Sequence, residues 1–136
     1  MIKCLNTIFC KKVTVEDDGT TPLWSIFTGF SPPRMPARIK LSFVCFLELA
    51  INKDKADINK EFDLRVIIEA PWGRAVDDSH QGIIFQQYTE TIAKCMAIID
   101  YEEIIFSEFG TYSFEVYINE EHLYTAILHV SQENRN

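Results

Sequence analysis

The feature of this sequence that most restricts its fold is a two-residue alternation of apolar and polar side chains. Successive side chains of a strand point to opposite faces, so this spacing produces one dry face and one wet face. The alternation occurs from Glu61 to Ala70, from Tyr112 to Ile118 and, at its clearest, from Arg38 to Ala50. In that last segment the apolar positions are Ile39, Leu41, Phe43, Cys45, Leu47 and Leu49. The pattern predicts strands that each cover one side of a buried core.

Turn-forming residues separate these segments at intervals that suit short antiparallel strands. Gly19 and Pro22 follow a first predicted strand, and a second predicted strand runs from Leu23 to Phe30. Prolines between Ser31 and Pro36 then make an extended connection that cannot donate to a sheet. We therefore expect an all-β fold, an antiparallel β-sandwich of about seven to nine strands. Residues 1–136 are expected to form one domain, since a chain of this size can bury a sizeable core.

The segment from Ile92 to Ile99 admits two interpretations. Ile92, Met96 and Ile99 would suit the apolar stripe of a helix nearly as well as the alternation of a strand. The β-rich surroundings and the paired isoleucines favour a strand.

The last two strands predict their own pairing. Placing Ile118 opposite Tyr124 and Val116 opposite Ala126 gathers one apolar surface, whereas the other parity would mix polar residues into it. We therefore expect an odd number of loop residues between Ile118 and Tyr124, with Asn119 at positive φ.

Charge and cysteine spacing restrict the partners and the location. The formal net charge of −7 comes from 20 acidic and 13 basic residues, and such a surface repels phosphate backbones and anionic lipid. Nucleic acid and membrane are therefore not expected as partners. No apolar run has the length of a signal peptide or a bilayer span, and the four cysteines lack C-x-x-C spacing. These features predict a cytoplasmic protein with reduced thiols.

Candidate catalytic or metal-binding residues are few. The densest group is Asp77, Asp78, Ser79 and His80, which is predicted to lie in a loop. Neighbouring residues cannot all face one ion, so a site here would need a further residue such as His122. Loop residues of these types ordinarily bond to nearby backbone. No catalytic or nucleotide-binding motif occurs, so we predict no metal, no cofactor and no catalytic residue.

Five other residues are candidates for an interaction surface. Val44 and Phe46 interrupt the polar side of their strand. This indicates either cover by a neighbouring element or an apolar patch used in association. Trp72 lies in a predicted turn, where tryptophan can anchor an interface. Arg34 and Arg38 belong to the stretch SPPRMPARIK, which contains no acidic residue.

Several segments resemble a family of short bacterial and archaeal proteins catalogued as a domain of unknown function. The resemblance covers VTVEDDGTTPLWSIFTGF (Val13 to Phe30), PPRMPARIKLSFVCFLE (Pro32 to Glu48), LRVIIEAPWGRAV (Leu64 to Val76) and the closing hairpin (Ile104 to Val130). It implies an immunoglobulin-like or related sandwich, and it carries no activity, ligand or catalytic residue. Tyr112 is similar to the tyrosine corner of such sandwiches.

The leading hypothesis is a non-enzymatic protein-interaction module, a subunit or accessory of a larger assembly, that binds another protein or a copy of itself through a loop or a sheet edge. The alternative is a small-molecule-binding or metal-dependent hydrolytic β-sandwich that uses the segment from Asp77 to His80.

Overall fold

A computed structural model of the chain describes residues 1–52 and 56–132. Within these residues the chain forms ten strands. They are β1 (Ile2–Val13), β2 (Leu23–Phe27), β3 (Gly29–Phe30), β4 (Ala37–Ala50), β5 (Glu61–Glu69), β6 (Ala75–Ile84), β7 (Gln86–Gln87), β8 (Ile92–Phe106), β9 (Gly110–Ile118) and β10 (Glu121–Val130). The strand interpretation of the ambiguous segment that begins at Ile92 is confirmed.

The strands form two five-stranded sheets. Sheet A has the order β2-β1-β4-β8-β7, and sheet B has the order β3-β10-β9-β5-β6. Neighbouring strands in the described part of the chain are antiparallel except β3, which runs parallel to β10. Buried residues of both sheets form one hydrophobic core. The predicted antiparallel β-sandwich is confirmed.

The number of strands exceeds the predicted seven to nine because the second predicted strand divides. Its first part, β2, pairs with β1 in sheet A, whereas its second part, β3, pairs with β10 in sheet B. At the crossing, a Cβ on Gly29 would lie 2.6 Å from the carbonyl oxygen of His129. Only glycine permits so close a backbone approach. The two-residue strand β7 adds to the count as well.

The turn between β9 and β10 differs from the prediction. It has two residues, Asn119 and Glu120, with φ of 47° and 69°, and positive φ at both positions is typical of a type I′ turn. The predicted odd loop was wrong, although positive φ at Asn119 is confirmed. A register shift just before Tyr124 places that residue opposite Val116 rather than Ile118. The shift returns the apolar residues of β10 to the inner face.

Aromatic rings join the two layers at the centre of the core. Phe114 of sheet B lies against two rings of sheet A, with ring centroids 4.8 Å from Phe9 and 5.0 Å from Phe43. Phe9 and Phe43 are themselves stacked at 5.1 Å. Each ring buries a large apolar area, and such pairs add stability beyond area alone.

The connection between β8 and β9 is closed by a tyrosine hydroxyl. The hydroxyl of Tyr112 donates a hydrogen bond to the carbonyl oxygen of Glu108 at 2.8 Å and accepts one from the Glu108 N–H at 3.2 Å. The ring is buried in the core. This is the hydrogen-bonding pattern of a tyrosine corner.

Removing that hydroxyl should destabilise the domain without disturbing its packing. Tyr112→Phe leaves the Glu108 carbonyl without its partner, so we expect the free energy of unfolding to fall by about 1–2 kcal/mol. Urea unfolding with an unchanged m-value measures this loss. Tyr124→Phe is the matched control, because the Tyr124 hydroxyl has no hydrogen bond within the described residues. Equal losses in the two variants would contradict a specific role for the corner.

Candidate interaction surface

The segment from Asp77 to His80 lies within strand β6, so the prediction of a loop was wrong. Asp77 and Ser79 are turned toward the inside of the sandwich, and Asp78 and His80 lie on the outer side. Sequence reasoning missed the strand because β6 is an edge strand of sheet B, whose inward positions are partly polar. Among the described residues, no group of three or more histidine, cysteine, aspartate or glutamate side chains is placed to hold a metal ion.

The predicted ligand candidates on the outer face of sheet B are already bonded to neighbours. Arg65 donates hydrogen bonds to both carboxylate oxygens of Asp78, at 2.9 and 2.6 Å. This bonding holds the pKa of Asp78 below its ordinary value. His80 Nδ1 lies 3.0 Å from an oxygen of Asp63. Both Asp78 and His80 therefore have hydrogen-bond partners within the face.

The other predicted histidine belongs to a second polar group on the same face. His122 Nε2 lies 2.7 Å from Glu115 Oε2, and the Thr125 hydroxyl donates to the same oxygen at 2.6 Å. Burial raises the pKa of Glu115, but hydrogen bonds from Thr125 and His122 outweigh it and leave this pKa below its ordinary value. Sheet B thus presents water with an internally paired polar face.

One polar side chain on the inner side of β6 lacks a partner. Asp77 Oδ2 is buried and accepts no hydrogen bond within the described structure. Burial, and then the charge of Asp78, raise the pKa of Asp77. An inward-pointing charge on an edge strand discourages the addition of another strand.

Side chains of the same strand, β6, also bond to β8 near the neighbouring edge of sheet A. Gln81 of β6 donates a hydrogen bond from Nε2 to the carbonyl oxygen of Ile98 in β8, at 3.3 Å. The Ser79 hydroxyl lies 3.5 Å from the hydroxyl of Tyr101. These contacts connect the two sheets where β6 and β8 approach, and they make that side of the sandwich a poor template for strand addition.

The outer face of sheet A is chemically different from that of sheet B. Val44 lies opposite Ile8 of β1 and Ile98 of β8, and Phe46 lies opposite Met96. A further pair of apolar residues on this face joins β2 to β1. We call this group the apolar patch: Ile8, Cys10, Ile26, Val44, Phe46, Met96 and Ile98.

Accessibility within the apolar patch is unequal. Val44 is 0% exposed although it does not belong to the core between the sheets, so side chains on its own face screen it. Phe46 is partly buried, whereas Met96 is 37% and Ile26 is 60% exposed. Val44 and Phe46 thus lie on the outer face of sheet A, and the more exposed apolar side chains of this face, Met96 and Ile26, belong to other strands.

Charged residues stand at opposite ends of the apolar patch. Lys94 lies opposite Glu48 at one end, and its ammonium is 4.2 Å from the centre of the Tyr88 ring. Asp100 lies at the other end, where its carboxylate accepts a hydrogen bond from the Ser42 hydroxyl at 2.5 Å. Both charges are on the same outer side of β8.

The remaining candidates lie apart from this group. Arg38 is the second residue of β4 and forms an ion pair of 2.6 Å with Glu103. Arg34 is exposed in the connection before β4. Trp72 is exposed in the turn before β6, where it lines a groove of about 360 Å³ with Ile105 and other residues. Arg38 also lies opposite Ile105 of β8, the residue that lines the groove with Trp72.

These features define a two-layer β-sandwich with one polar and one apolar outer face. The chain belongs to a family of unknown function (DUF6941), whose pattern matches residues 6–131. The predicted resemblance to a family of unknown function is confirmed. No curated protein matches the chain. Within residues 1–52 and 56–132 there is no helix with the length and apolar character needed to cross a bilayer.

The unpartnered carboxylate of β6 predicts a gain in stability on neutralisation. Asp77→Asn removes a desolvated charge. We therefore expect the free energy of unfolding at pH 7 to rise by roughly 0.5–1 kcal/mol, after allowance for solvent screening. Since the folded pKa of Asp77 is raised, the ionised form destabilises the fold above this pKa. The gain should vanish as the pH falls below the ordinary aspartate pKa of about 3.9.

The adjacent outward residue is the matched control, with the opposite sign. The pKa of Asp78 is lowered by Arg65, so its carboxylate stabilises the fold above the ordinary pKa and loses this effect as the pH falls through the folded pKa. Asp78→Asn should therefore reduce stability at pH 7. Urea unfolding of both variants over the acidic range measures the two trends, and a loss of stability in Asp77→Asn at pH 7 would contradict the assignment.

Proposed function

We propose that this protein is a non-enzymatic interaction module, a subunit or accessory of a larger assembly, that binds a protein partner through the apolar patch. The contrast between its two outer faces carries the proposal. On sheet B the polar side chains are bonded to one another, Arg65 to Asp78 and His122 to Glu115. On sheet A apolar side chains from four strands are neighbours across the sheet, and Ile26 and Met96 among them are exposed.

An apolar outer face has an energetic cost that a partner would remove. Isolated exposed apolar residues are common on protein surfaces, but a contiguous area rimmed by charge is characteristic of an interaction site. Met96 on β8 and Ile26 on β2 present accessible side chains at opposite sides of this area. Burying them against a partner would contribute favourable free energy at about 25 cal/mol per Å² of apolar surface.

The strand order supports a closer classification of the fold, which we propose as immunoglobulin-like. The orders β1-β4-β8-β7 and β10-β9-β5-β6 correspond to strands A-B-E-D and G-F-C-C′ of that fold. The hydroxyl of Tyr112 in β9 supplies the tyrosine corner at the position of strand F. This is an analogy of fold, and the functional argument rests on the apolar patch.

We propose a cytoplasmic location for the module. All four cysteines are free thiols, and Cys10 and Cys45 are buried. Burial raises the pKa of the Cys45 thiol, which keeps it protonated and unreactive as a small apolar side chain.

Geometry does not favour the alternative of a small-molecule or metal-dependent hydrolytic site. The alternation of β6 directs Asp77 away from Asp78 and His80. His80 and Asp78 are bonded to Asp63 and Arg65 respectively, so the four predicted ligands share no common centre.

A charge placed in the apolar patch should abolish partner binding. The tagged wild-type chain and the Met96→Lys variant are each used to capture proteins from the lysate of the protein's own organism. We expect the amount of captured partner to fall at least about tenfold in Met96→Lys, since a buried unpaired charge costs several kcal/mol. The matched control is Ile127→Lys, because Ile127 is 42% exposed on the outer face of sheet B. It should capture the same proteins as wild type.

Circular dichroism and thermal unfolding establish that both variants are folded. Quantitative mass spectrometry of the captured proteins, including untagged copies of this chain, provides the comparison. An identical capture profile for wild type and Met96→Lys would refute binding through the apolar patch.

A further inference from the structure

We propose that the occupant of the apolar patch is a second copy of this chain, packed face to face with β8 of one copy antiparallel to β8 of the other. This inference rests on the proposed function. It names the partner of the same surface and the orientation in which that partner binds.

The orientation follows from the order of side chains on the outer side of β8. These are Lys94, Met96, Ile98 and Asp100, so a positive end, an apolar centre and a negative end follow one another along one strand. In an antiparallel pair of copies, Lys94 of each copy meets Asp100 of the other. In a parallel pair, lysine would meet lysine and aspartate would meet aspartate, which is unfavourable.

Strand β4 is compatible with the same orientation. Its outer side carries Ser42, Val44, Phe46 and Glu48 in that order. The Ser42 hydroxyl already donates a hydrogen bond to Asp100 and Glu48 is paired with Lys3, so in the antiparallel arrangement β4 contributes the apolar contact of Val44 and Phe46 at the centre. A two-fold axis through this centre generates an isologous contact, in which both copies use the same surface.

The dimensions of the patch predict a reversible dimer. Lys94 and Asp100 are six residues apart, about 20 Å along a strand, and four strands extend across roughly 15 Å. Each patch therefore covers roughly 300 Å², and two of them together bury about half of the ~1,200 Å² at which stable interfaces begin, so association is weak and depends on concentration.

The sheet edges of this chain offer less to a second copy than the apolar patch does. The inward carboxylate of Asp77 opposes a strand added beside β6, and the Gln81 side chain already occupies the Ile98 carbonyl of β8. Face-to-face packing requires neither group to move. Two sheets packed in this way keep their strands within about 30° of alignment, which is compatible with the paired charges.

Charge reversal with mixing tests the orientation directly. In sedimentation velocity over a concentration series from micromolar to about millimolar, we expect the wild-type chain to dimerise reversibly. Lys94→Glu alone and Asp100→Lys alone should each weaken dimerisation by at least about tenfold, because each homodimer then contains two like-charge contacts. An equimolar mixture of the two variants should recover dimers, since both contacts between unlike variants are again attractive.

A second measurement does not depend on these substitutions. Met96 lies in the apolar patch, whereas Met1 is 93% exposed at the N-terminus. Oxidation of Met96 by peroxide should slow relative to that of Met1 as the protein concentration rises. Circular dichroism of each charge variant verifies the fold, since Asp100→Lys removes the hydrogen bond from Ser42.

Three outcomes would overturn the proposal. A wild-type chain that stays monomeric with a constant oxidation ratio excludes the second copy. If Met96→Lys then still loses captured proteins, the proposed function stands with a different partner. Dimers that both single variants leave intact exclude the patch as the contact, and single variants that fail to recover on mixing exclude the antiparallel orientation.

Discussion

The sandwich depends on the contact of Phe114 with Phe9 and Phe43, which joins the two sheets at the centre of the core. Both sheets must place large apolar residues on their inner faces for these rings to meet. That requirement accounts for the inward apolar residue at every second position of β4, β5 and β9, and for the register shift that corrects β10. Local irregularities are tolerated because they preserve the face on which each side chain lies.

Alternation predicted the class of fold well because the central strands separate a dry face from a wet face. It failed for β6, where Asp77 and Ser79 occupy inward positions. An edge strand is covered on one side only, so its inner face need not be fully apolar. It also failed for the loop at Asn119, since a tight turn followed by an inserted residue preserves the same parity as a longer loop. The pattern indicates which face a residue occupies, and turn geometry decides its partner.

The candidate surface could be recognised from the sequence only in part. Val44 and Phe46 stood out because they interrupt a polar face. Their cross-strand neighbours Ile8, Met96 and Ile98 come from distant segments, so no local pattern joins them. The predicted ligand residues were separated for the opposite reason: Asp77 and His80 are close in sequence, and the pleat of the strand turns them to different faces. Adjacency in a folded sheet is a property of register, which the sequence encodes through many weak preferences.

The chain passes between the two sheets at both margins of the sandwich. At Gly29 the backbone leaves β2 of sheet A and pairs as β3 with β10 of sheet B. At the other margin β6 of sheet B is followed, after Phe85 alone, by β7 of sheet A, which pairs with β8. The Phe85 side chain is fully buried and packs against Phe62. The layers are therefore tethered covalently along both sides, and separating them would require unpairing a short edge strand as well as opening the core.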